Sequence, residues 1–390
     1  MEKIVITGGL GYIGTELCKL YSGETRYQNI IVVDKKFISE RVKQLRDWGF
    51  NFIQGDILDK NFMKELLKDA DIVYHLAGVT DVAYTKLEEK FGQNELIEKV
   101  GIEGSRNVIN NVPKHCKLLF PSTHVVYEGF NGTKYDVKEN EPTTPILTYS
   151  KGKDQTEKDL KNSKLNYTIL RLASVYGYST DTMRIGIMPN LFSKISSQNG
   201  TLKLFSGGIQ LKSLVPLIDV ARCFKFMAEK KDIKRETFHL AKENMTVKEV
   251  AELCKKINPN LTLIETDDEI PNLGYTISNK KLLSTGFKFR YHPIQEQKCL
   301  LVKGKYVSVI KDLSDPKAQV HTQLIQEGDI AIIKPNVAHT MVFLEDSIFL
   351  NLVKGEREHE NYGITHTIPY ILVDEKLRKE IMSNYSSIDR

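Results

Sequence analysis

Short apolar runs alternate with amphipathic segments along the amino-terminal part of the chain. The apolar runs predict strands at Lys3–Thr7, Ile30–Asp34, Phe50–Gln54, Ile72–Leu76, Lys117–Pro121 and Tyr167–Leu172. The amphipathic segments predict helices that include Tyr12–Tyr21, Lys60–Lys68 and Ser150–Lys161. Because strands interleaved with helices are typical of a parallel sheet covered on both faces, we expect an α/β fold with a doubly wound parallel sheet.

The pattern is more mixed from about Met183 to Phe289, where helices are predicted near Val220–Glu229 and Thr246–Lys256. We interpret this segment as a smaller lobe built onto the sheet.

After about Tyr291 the pattern changes to short β-rich runs with turn signals between them. These runs are Lys298–Val302, Tyr306–Lys311, Gln319–Ile325, Ile330–Lys334, Thr340–Leu344 and Ile348–Val353. Regular spacing of this kind favours an antiparallel sandwich or barrel, and Glu375–Tyr385 predicts a charged surface helix. We therefore expect domains at residues 1–290 and 291–373, with a tail at 374–390.

Composition narrows the class of protein. A chain of 390 residues favours two domains, and its net charge of +5, without a long basic run, argues against nucleic-acid binding. No apolar stretch approaches the ~20 residues that span a bilayer. The 5 cysteines are scattered without a Cys-x-x-Cys pair, and the first residues enter a strand directly, so we expect reduced thiols and a cytoplasmic protein.

A glycine-rich turn follows the first predicted strand. Gly8, Gly11 and Gly14 open a helix in the segment Thr7–Gly14. Glycines there let the backbone approach a pyrophosphate at the positive end of the helix. Asp34 ends the next strand, where its carboxylate can accept the ribose hydroxyls of NAD and repel the 2′-phosphate of NADP, although the neighbouring Lys35 and Lys36 leave NADP open.

A tyrosine and a lysine are spaced for joint chemistry. Tyr149 and Lys153 fall one turn apart on a predicted helix, so they share a face. A nearby ammonium favours the phenolate and is expected to lower the pKa of Tyr149, which then accepts a hydroxyl proton.

These motifs occur in order with several others, and the chain over roughly residues 1–290 resembles an extended short-chain dehydrogenase/reductase of the nucleotide-sugar epimerase and dehydratase group. The further supports are Gly55-Asp56-Ile57, Leu76-Ala77-Gly78, Thr123 before Tyr127, and Leu170–Gly177. The resemblance implies a Rossmann-type sheet with a substrate lobe, NAD as cofactor and a sugar substrate.

The resemblance also implies residue roles. The catalytic residues would be Thr123, Tyr149 and Lys153, with Thr123 bonding the reacting hydroxyl and hydride passing to the nicotinamide. The cofactor-binding residues would be Gly8, Gly11, Tyr12, Ile13, Gly14, Asp34, Lys35, Asp56, Ile57, Leu76, Ala77, Gly78, Tyr149 and Lys153. The substrate-binding residues would be Ser122 (as a fallback for Thr123), Thr123, Asn190 and Lys212.

Three departures from the family pattern restrict the reaction. Sugar 4,6-dehydratases carry an Asp-Glu pair after the catalytic threonine, whereas this chain has His124-Val125, which argues against dehydration. Lys212 stands where the family has an arginine that binds the diphosphate, so a diphosphate sugar is less firmly indicated as the substrate. Gly101 replaces a cofactor-side asparagine.

Residues 291–373 resemble a small cupin. His292, Glu296 and His339 would suit a divalent ion, but Arg290 occupies the first ligand position, and the barrel serving dimerisation is the stronger alternative. The presence of a metal stays open.

The expected function is that of an NAD-dependent sugar epimerase or oxidoreductase acting at C4 of a nucleotide-linked sugar, in polysaccharide or deoxysugar synthesis. The alternatives are a net NAD(P)-dependent dehydrogenase or reductase, a bifunctional enzyme with a cupin isomerase, and an NAD-binding sensor or scaffold. We expect a homodimer whose partner is a small sugar substrate.

Overall fold

The computed structural model describes residues 2–22, 29–79, 90–179, 182–268, 273–289, 297–312, 318–333, 337–353 and 373–385. The chain divides into two compact units, Met1–Phe289 and Arg290–Arg390.

The first unit contains strands and helices in alternation. Its strands are β1 (Ile4–Thr7), β2 (Ile30–Asp34), β3 (Asn51–Gln54), β4 (Ile72–His75), β5 (Lys117–Thr123), β6 (Lys134–Val137), β7 (Asn166–Leu172), β8 (Ser174–Tyr176), β9 (Thr201–Phe205), β10 (Leu211–Pro216), β11 (Glu236–Leu240), β12 (Glu243–Thr246), β13 (Thr262–Thr266) and β14 (Tyr275–Ile277). Its helices are α1 (Tyr12–Ser22), α2 (Ser39–Asp47), α3 (Lys60–Leu67), α4 (Phe91–Glu98), α5 (Ser105–Asn111), α6 (Thr148–Asn162), α7 (Met188–Ser197), α8 (Leu217–Glu229), α9 (Val247–Ile257) and α10 (Lys280–Ser284). A π-helix covers Lys99–Gly104, and short 3-10 helices cover His124–Tyr127 and Ser206–Gly208.

Seven strands form one parallel sheet in the order β11-β7-β5-β4-β1-β2-β3. This confirms the predicted doubly wound sheet. After β3 the chain crosses back over β1 to form β4, so the strand order reverses between these two strands. Ligands of such sheets bind beyond the carboxyl ends of the strands at the point of reversal. The predicted glycine turn follows β1 and therefore lies at this point.

Hydrophobic side chains cover both faces of the sheet because successive residues of a strand point to opposite sides. Ile4 and Ile6 of β1 pack in one cluster with Leu17 of α1. Val5, between them, packs in a second cluster with Met63 of α3. The continuous apolar run of β1 thus reflects a strand that is buried on both faces.

A smaller lobe is built from the segments that follow β7. Its sheets have the orders β12-β10-β8 and β13-β9. A third core cluster, which includes Phe192, Leu202 and Ala251, packs α7 and α9 against these strands. The predicted lobe segment, from about Met183 to Phe289, also contributes to the main sheet, because its strand β11 pairs with β7 at the sheet edge.

The second unit is rich in β-strands. They are β15 (Gln297–Lys303), β16 (Lys305–Asp312), β17 (His321–Gln326), β18 (Ile330–Ile333), β19 (Val337–Phe343) and β20 (Ile348–Val353). They form two antiparallel three-stranded sheets of order β18-β15-β20 and β17-β16-β19, which confirms the predicted antiparallel strands. A cupin stays a prediction.

Helix α11 (Glu375–Tyr385) corrects the idea of a purely surface helix. Ile381 is 2% exposed and packs with Val307 and Val309 of β16. The segment assigned to a tail therefore contributes to the core of the second unit.

Within the described ranges, no helix is both long and apolar enough to span a bilayer.

Candidate active site

The glycine turn after β1 is packed too tightly for side chains on one side. Gly8 has a φ of +70°, and a Cβ placed on it would lie 2.6 Å from the backbone nitrogen of Ala77. A Cβ on Gly14 would lie 2.4 Å from the carbonyl oxygen of Gly8. A Cβ on Gly11 would meet only that carbonyl oxygen, at 3.1 Å. The turn thus presents open backbone at the start of α1, which fits the pyrophosphate of NAD.

Asp34 is held beside this turn. Its Oδ2 accepts a hydrogen bond from the Leu10 N–H at 3.1 Å, and its Oδ1 accepts one from the Lys36 N–H at 3.0 Å. A carboxylate has about four acceptor positions. Two therefore remain for the ribose hydroxyls, and the backbone bonds fix their direction.

Lys35 and Asp56 form an ion pair, with Nζ and Oδ2 2.8 Å apart. Burial raises the pKa of Asp56, but the hydrogen bonds from Lys35 and the Leu58 N–H outweigh it and the pKa is lowered. Because Asp56 balances the charge of Lys35, this lysine is a weaker attraction for a 2′-phosphate than the sequence indicates. Ile57 is buried and packs against Gly104 of the π-helix.

Tyr149 and Lys153 line one pocket at the amino-terminal part of α6. The pocket is shared with Ala77 and Gly78, which follow β4, with Gly101 in the π-helix and with Ser105. The structure therefore brings together the predicted tyrosine and lysine and part of the predicted cofactor segment. Thr123, Ser122, Asn190 and Lys212 are not among the described lining residues of this pocket.

Lys153 is fixed by its backbone partner and by aromatic rings. Its Nζ donates to the carbonyl oxygen of Pro121 at 2.7 Å and lies 4.6 Å from the ring centre of Phe120. Burial lowers the pKa of Lys153 to about 8, and the negative charge of Glu157 opposes this effect. The ammonium is therefore still the main form at neutral pH, but it loses its proton at a lower pH than an ordinary lysine does.

The expected effect of Lys153 on Tyr149 needs correction. Burial raises the pKa of Tyr149, and the opposing charge in the described structure belongs to Arg184. The Lys153 ammonium lies 5.8 Å from the centre of the Tyr149 ring and is hydrogen-bonded elsewhere, which explains its small influence. Arg184 is therefore part of the electrostatics of the site.

Thr123 ends β5, where it pairs with Leu172 of β7. Its Oγ1 accepts a hydrogen bond from the Val125 N–H at 3.2 Å and so caps the short 3-10 helix. A threonine hydroxyl that accepts in this way still has its own hydrogen to donate.

Ser122, the predicted fallback for Thr123, lies in the core. It is 2% exposed, and its Oγ donates to Glu157 Oε1 at 2.5 Å. Its hydroxyl is used in the core, so the structure gives no support to Ser122 as a substitute for Thr123.

Asn190 and Tyr12 hold the chain that follows β8. The Tyr12 hydroxyl donates to the Gly177 carbonyl, and Asn190 Oδ1 accepts from the Gly177 N–H at 2.9 Å. Asn190 Nδ2 also donates to the Arg184 carbonyl at 3.0 Å. Asn190 is only 3% exposed and its hydrogen bonds position this segment, so a contact of its amide with the substrate stays a prediction. Ile13 packs against the main core beside Tyr12.

His124 occupies the position where dehydratases carry an acid. Its Nδ1 lies 3.1 Å from the Leu172 carbonyl oxygen, which can only accept, so Nδ1 carries the hydrogen and Nε2 is an acceptor. Burial lowers the pKa of His124 to about 4, and the charge of Lys212 adds to this. Burial also lowers the pKa of Lys212. The Tyr275 hydroxyl, which sequence reasoning did not use, donates to the His124 carbonyl at 2.8 Å.

His75, at the end of β4, is a core residue. Its Nδ1 lies 3.1 Å from Thr7 Oγ1 and its Nε2 lies 2.9 Å from Ser105 Oγ. Burial and the charge of Lys153 lower its pKa to about 3, so it is neutral. It links β1 and β4 to a serine of the pocket.

The predicted metal ligands lie only partly within the described residues. His292, Glu296 and the Pro335-Asn336 turn lie outside the described residues, and His339 is exposed in β19. Among the residues whose placement is described, no group of three or more His, Cys, Asp or Glu is arranged to hold a metal ion.

Two curated relatives share about a quarter of their residues with the chain. A dTDP-D-glucose 4,6-dehydratase of Dictyostelium discoideum is 25% identical over 254 residues, which are 60% of this chain and 57% of that protein. A UDP-glucose 4-epimerase of Mycoplasma genitalium is 24% identical over 283 residues, which are 65% of this chain and 81% of that protein.

Solved structures share the fold. The UDP-glucose 4-epimerase of Thermotoga maritima with UDP-glucose has a TM-score of 0.62 and 24% identity, and it covers 74% of this chain and 94% of its own. MoeE5 in complex with UDP-glucose and NAD has a TM-score of 0.61 and 18% identity over the same shares.

A family model described as the NAD dependent epimerase/dehydratase family matches residues 4–241, which include the glycine turn, Asp34, Thr123, Tyr149 and Lys153. The chain therefore belongs to this family and is an NAD-dependent enzyme of the extended short-chain dehydrogenase/reductase type.

Proposed function

We propose that the chain is an epimerase that acts at C4 of a nucleotide-linked sugar in polysaccharide or deoxysugar synthesis. The observation that carries the proposal is that Tyr149 and Lys153 line one pocket with Ala77 and Gly78 beyond the end of β4. An acid–base pair at the point where the strand order reverses suits oxidation of a secondary alcohol next to a dinucleotide.

The residues divide the work as follows. Tyr149 takes the proton of the C4 hydroxyl, and the Thr123 hydroxyl donates a hydrogen bond to the same oxygen. Lys153, fixed on the Pro121 carbonyl, contributes a donor for the cofactor ribose, and Arg184 contributes the positive charge that favours the phenolate of Tyr149. Bound NAD supplies the acceptor and donor of hydride. The tyrosine returns its proton once the opposite face of C4 has been reduced, so the net reaction is inversion.

His124 supports this chemistry over water elimination, and Lys212 bears on the substrate. A neutral His124, whose Nδ1 hydrogen is already donated to Leu172, offers no acidic proton to a leaving hydroxyl at neutral pH. Lys212 has no ion-pair partner among the described residues and is half-buried, which suits a contact with an anionic diphosphate. A lysine ammonium cannot make the two parallel hydrogen bonds of a guanidinium, so the proposed contact of Lys212 with the diphosphate is weaker than that of an arginine.

A panel of UDP- and dTDP-hexoses incubated with the full chain and NAD tests the proposal. We expect C4 epimers of one sugar, identified by proton NMR, without accumulation of NADH. Steady accumulation of NADH would instead indicate a net dehydrogenase, and NAD binding with no sugar conversion would indicate a sensor or scaffold. In the same assay Tyr149→Phe should lose the conversion. Tyr135→Phe is its matched control and should keep the conversion, because Tyr135 is 71% exposed.

We also propose a cytoplasmic homodimer. Free thiols at Cys18, Cys116 and Cys223, all buried, support a reducing compartment. Light scattering on the purified chain tests the dimer, and a monomer mass would overturn it.

A further inference from the structure

Glu157 is a buried carboxylate in α6 whose oxygens are fully used. Its Oε1 accepts from Ser122 Oγ at 2.5 Å and from Arg171 Nε at 2.9 Å. Its Oε2 accepts from Arg171 Nη2 at 2.7 Å and from Lys161 Nζ at 2.9 Å. The exposed fractions of the Glu157 and Arg171 side chains are 0% and 2%. Four donors converge on one carboxylate that has about four acceptor positions.

This carboxylate is ionised. Burial raises the pKa of Glu157, but the hydrogen bonds and charge of Arg171 outweigh it and hold the pKa at about 2. A full negative charge therefore lies inside the fold at any pH at which the enzyme works.

Two partners of Glu157, Ser122 and Arg171, adjoin the part of the sheet that carries Thr123. Ser122 precedes Thr123 in β5, and Arg171 precedes Leu172, the residue that pairs with Thr123 in the sheet. Glu157 itself lies one helical turn after Lys153. One carboxylate thus joins the helix that carries Tyr149 and Lys153 to the two strands beside Thr123, and a shift of α6 would break several of its hydrogen bonds at once.

The charge also acts on Lys153. Within the part of the chain that is described, the titratable groups facing Lys153 are Tyr149 and Glu157 of its own helix and His75 of β4. His75 is neutral, and the raised pKa of Tyr149 disfavours its phenolate, so Glu157 is the negative charge that favours the ammonium over the amine. Phe120 and the Pro121 carbonyl complete the surroundings of Nζ without adding a formal charge.

We propose that Glu157, held by Arg171, is a positioning residue that fixes α6 on the sheet and keeps Lys153 in its charged form; this role rests on Lys153 acting as proposed above. Glu157 does not touch the substrate. It acts through the place and the protonation of the lysine.

The direct test is the titration of Lys153 in protein that contains lysine labelled with 15N at Nζ. The Lys153 signal is identified as the one missing from Lys153→Arg. In Glu157→Gln the carbonyl oxygen of the amide can still accept from Ser122 and Arg171 while the charge is removed. We expect the midpoint to fall by about one pH unit from its wild-type position. Asp159→Asn is the matched control, since Asp159 lies on the same helix, pairs with Arg106 at 2.7 Å, and should leave the midpoint unchanged.

The double variant Glu157→Gln/Arg171→Met covers the case in which a lone buried guanidinium prevents folding. It removes both buried charges, and the same fall in the midpoint is expected. A midpoint that stays at the wild-type value in a folded variant would overturn the proposal. The titration needs neither sugar nor turnover, so it remains readable even if the proposed epimerase activity is not found.

If activity is found, the kinetic signature is equally specific. In Glu157→Gln the alkaline limb of kcat/KM should move to lower pH, while KM for the sugar changes by less than about twofold. A uniform loss of kcat with an unmoved limb would mean that Glu157 is only structural.

Discussion

Lys153 donates from Nζ to the carbonyl oxygen of Pro121 at 2.7 Å, which ties the lysine of α6 to the strand that ends in Thr123. The same ammonium is buried, and burial lowers its pKa to about 8. Geometry and charge at this residue therefore depend on the same packing of helix on sheet.

The lowered pKa predicts a pH dependence. Because the Lys153 pKa falls from 10.5 to about 8, the ammonium is present below that value and is lost as the pH rises through it. The value of kcat/KM, which reports the protonation state of the free enzyme, should therefore decline above about pH 8. In Lys153→Met the rate should be low at every pH and this decline should be absent. A decline that persists in Lys153→Met would assign it to another group.

Asp34 predicts the cofactor preference. Asp34→Ala removes a charged acceptor for the ribose hydroxyls, so NAD affinity should fall about tenfold or more and the gap to NADP should narrow. Isothermal titration with both cofactors measures this. Asp47→Ala is the control, because Asp47 pairs with Lys43 on the exposed side of α2. Lys35→Ala should keep the preference for NAD, and equal wild-type binding of NAD and NADP would contradict the assignment.

The close approach at Gly14 predicts a steric effect. A Cβ on Gly14 would lie 2.4 Å from the Gly8 carbonyl oxygen, so Gly14→Ala should destabilise the fold by about 1–3 kcal/mol and weaken NAD binding. Gly92→Ala is the control, since a Cβ there meets nothing within 4 Å. Urea denaturation of both variants measures their free energies of unfolding. Equal values for Gly14→Ala and Gly92→Ala would show that the glycine turn adjusts to the added methyl group.

Asn190 predicts a positioning effect on the substrate side. Asn190→Ala leaves the Gly177 N–H without its acceptor and should cost about 1–3 kcal/mol of stability. Because Asn190 also holds the backbone of Arg184, KM for the sugar should rise more than kcat falls. Asn51→Ala, at an exposed position of β3, should change neither quantity. An unchanged KM in Asn190→Ala would remove this segment from the site.

Local pattern predicted much of the fold because its strands are apolar on both faces. Ile30–Asp34 and Lys117–Pro121 stand out in the sequence for that reason, and the structure confirms both, the second extended to Thr123. The edge strand β11 was missed, since the buried His239 interrupts its apolar run. The π-helix at Lys99–Gly104 has no comparable local signature.

The site was predictable where short motifs carry the chemistry and less so where distant residues meet. Tyr149 and Lys153 are close in sequence, their spacing predicts one helix face, and they line the same pocket. The partners of Ser122 and Asn190 are 35 and 13 residues away, and no spacing rule connects them. For the same reason the burial that raises the pKa of Tyr149 could not be foreseen from the tyrosine–lysine spacing.

The two units predict independent cofactor binding. The division falls between Phe289 and Arg290, so a fragment of residues 1–290 should bind NAD with a Kd within about threefold of the full chain. His339→Ala in the full chain should leave hydride transfer unchanged. Loss of NAD binding by the fragment would show that the second unit completes the first.

The most direct test of the central claim is the turnover of Tyr149→Phe on the sugar that the wild type converts. Loss of the proton acceptor should lower kcat by about a hundredfold or more, while the Kd for NAD stays within about twofold, because the phenyl ring is retained. Turnover of Tyr149→Phe within about threefold of wild type would contradict the assigned chemistry.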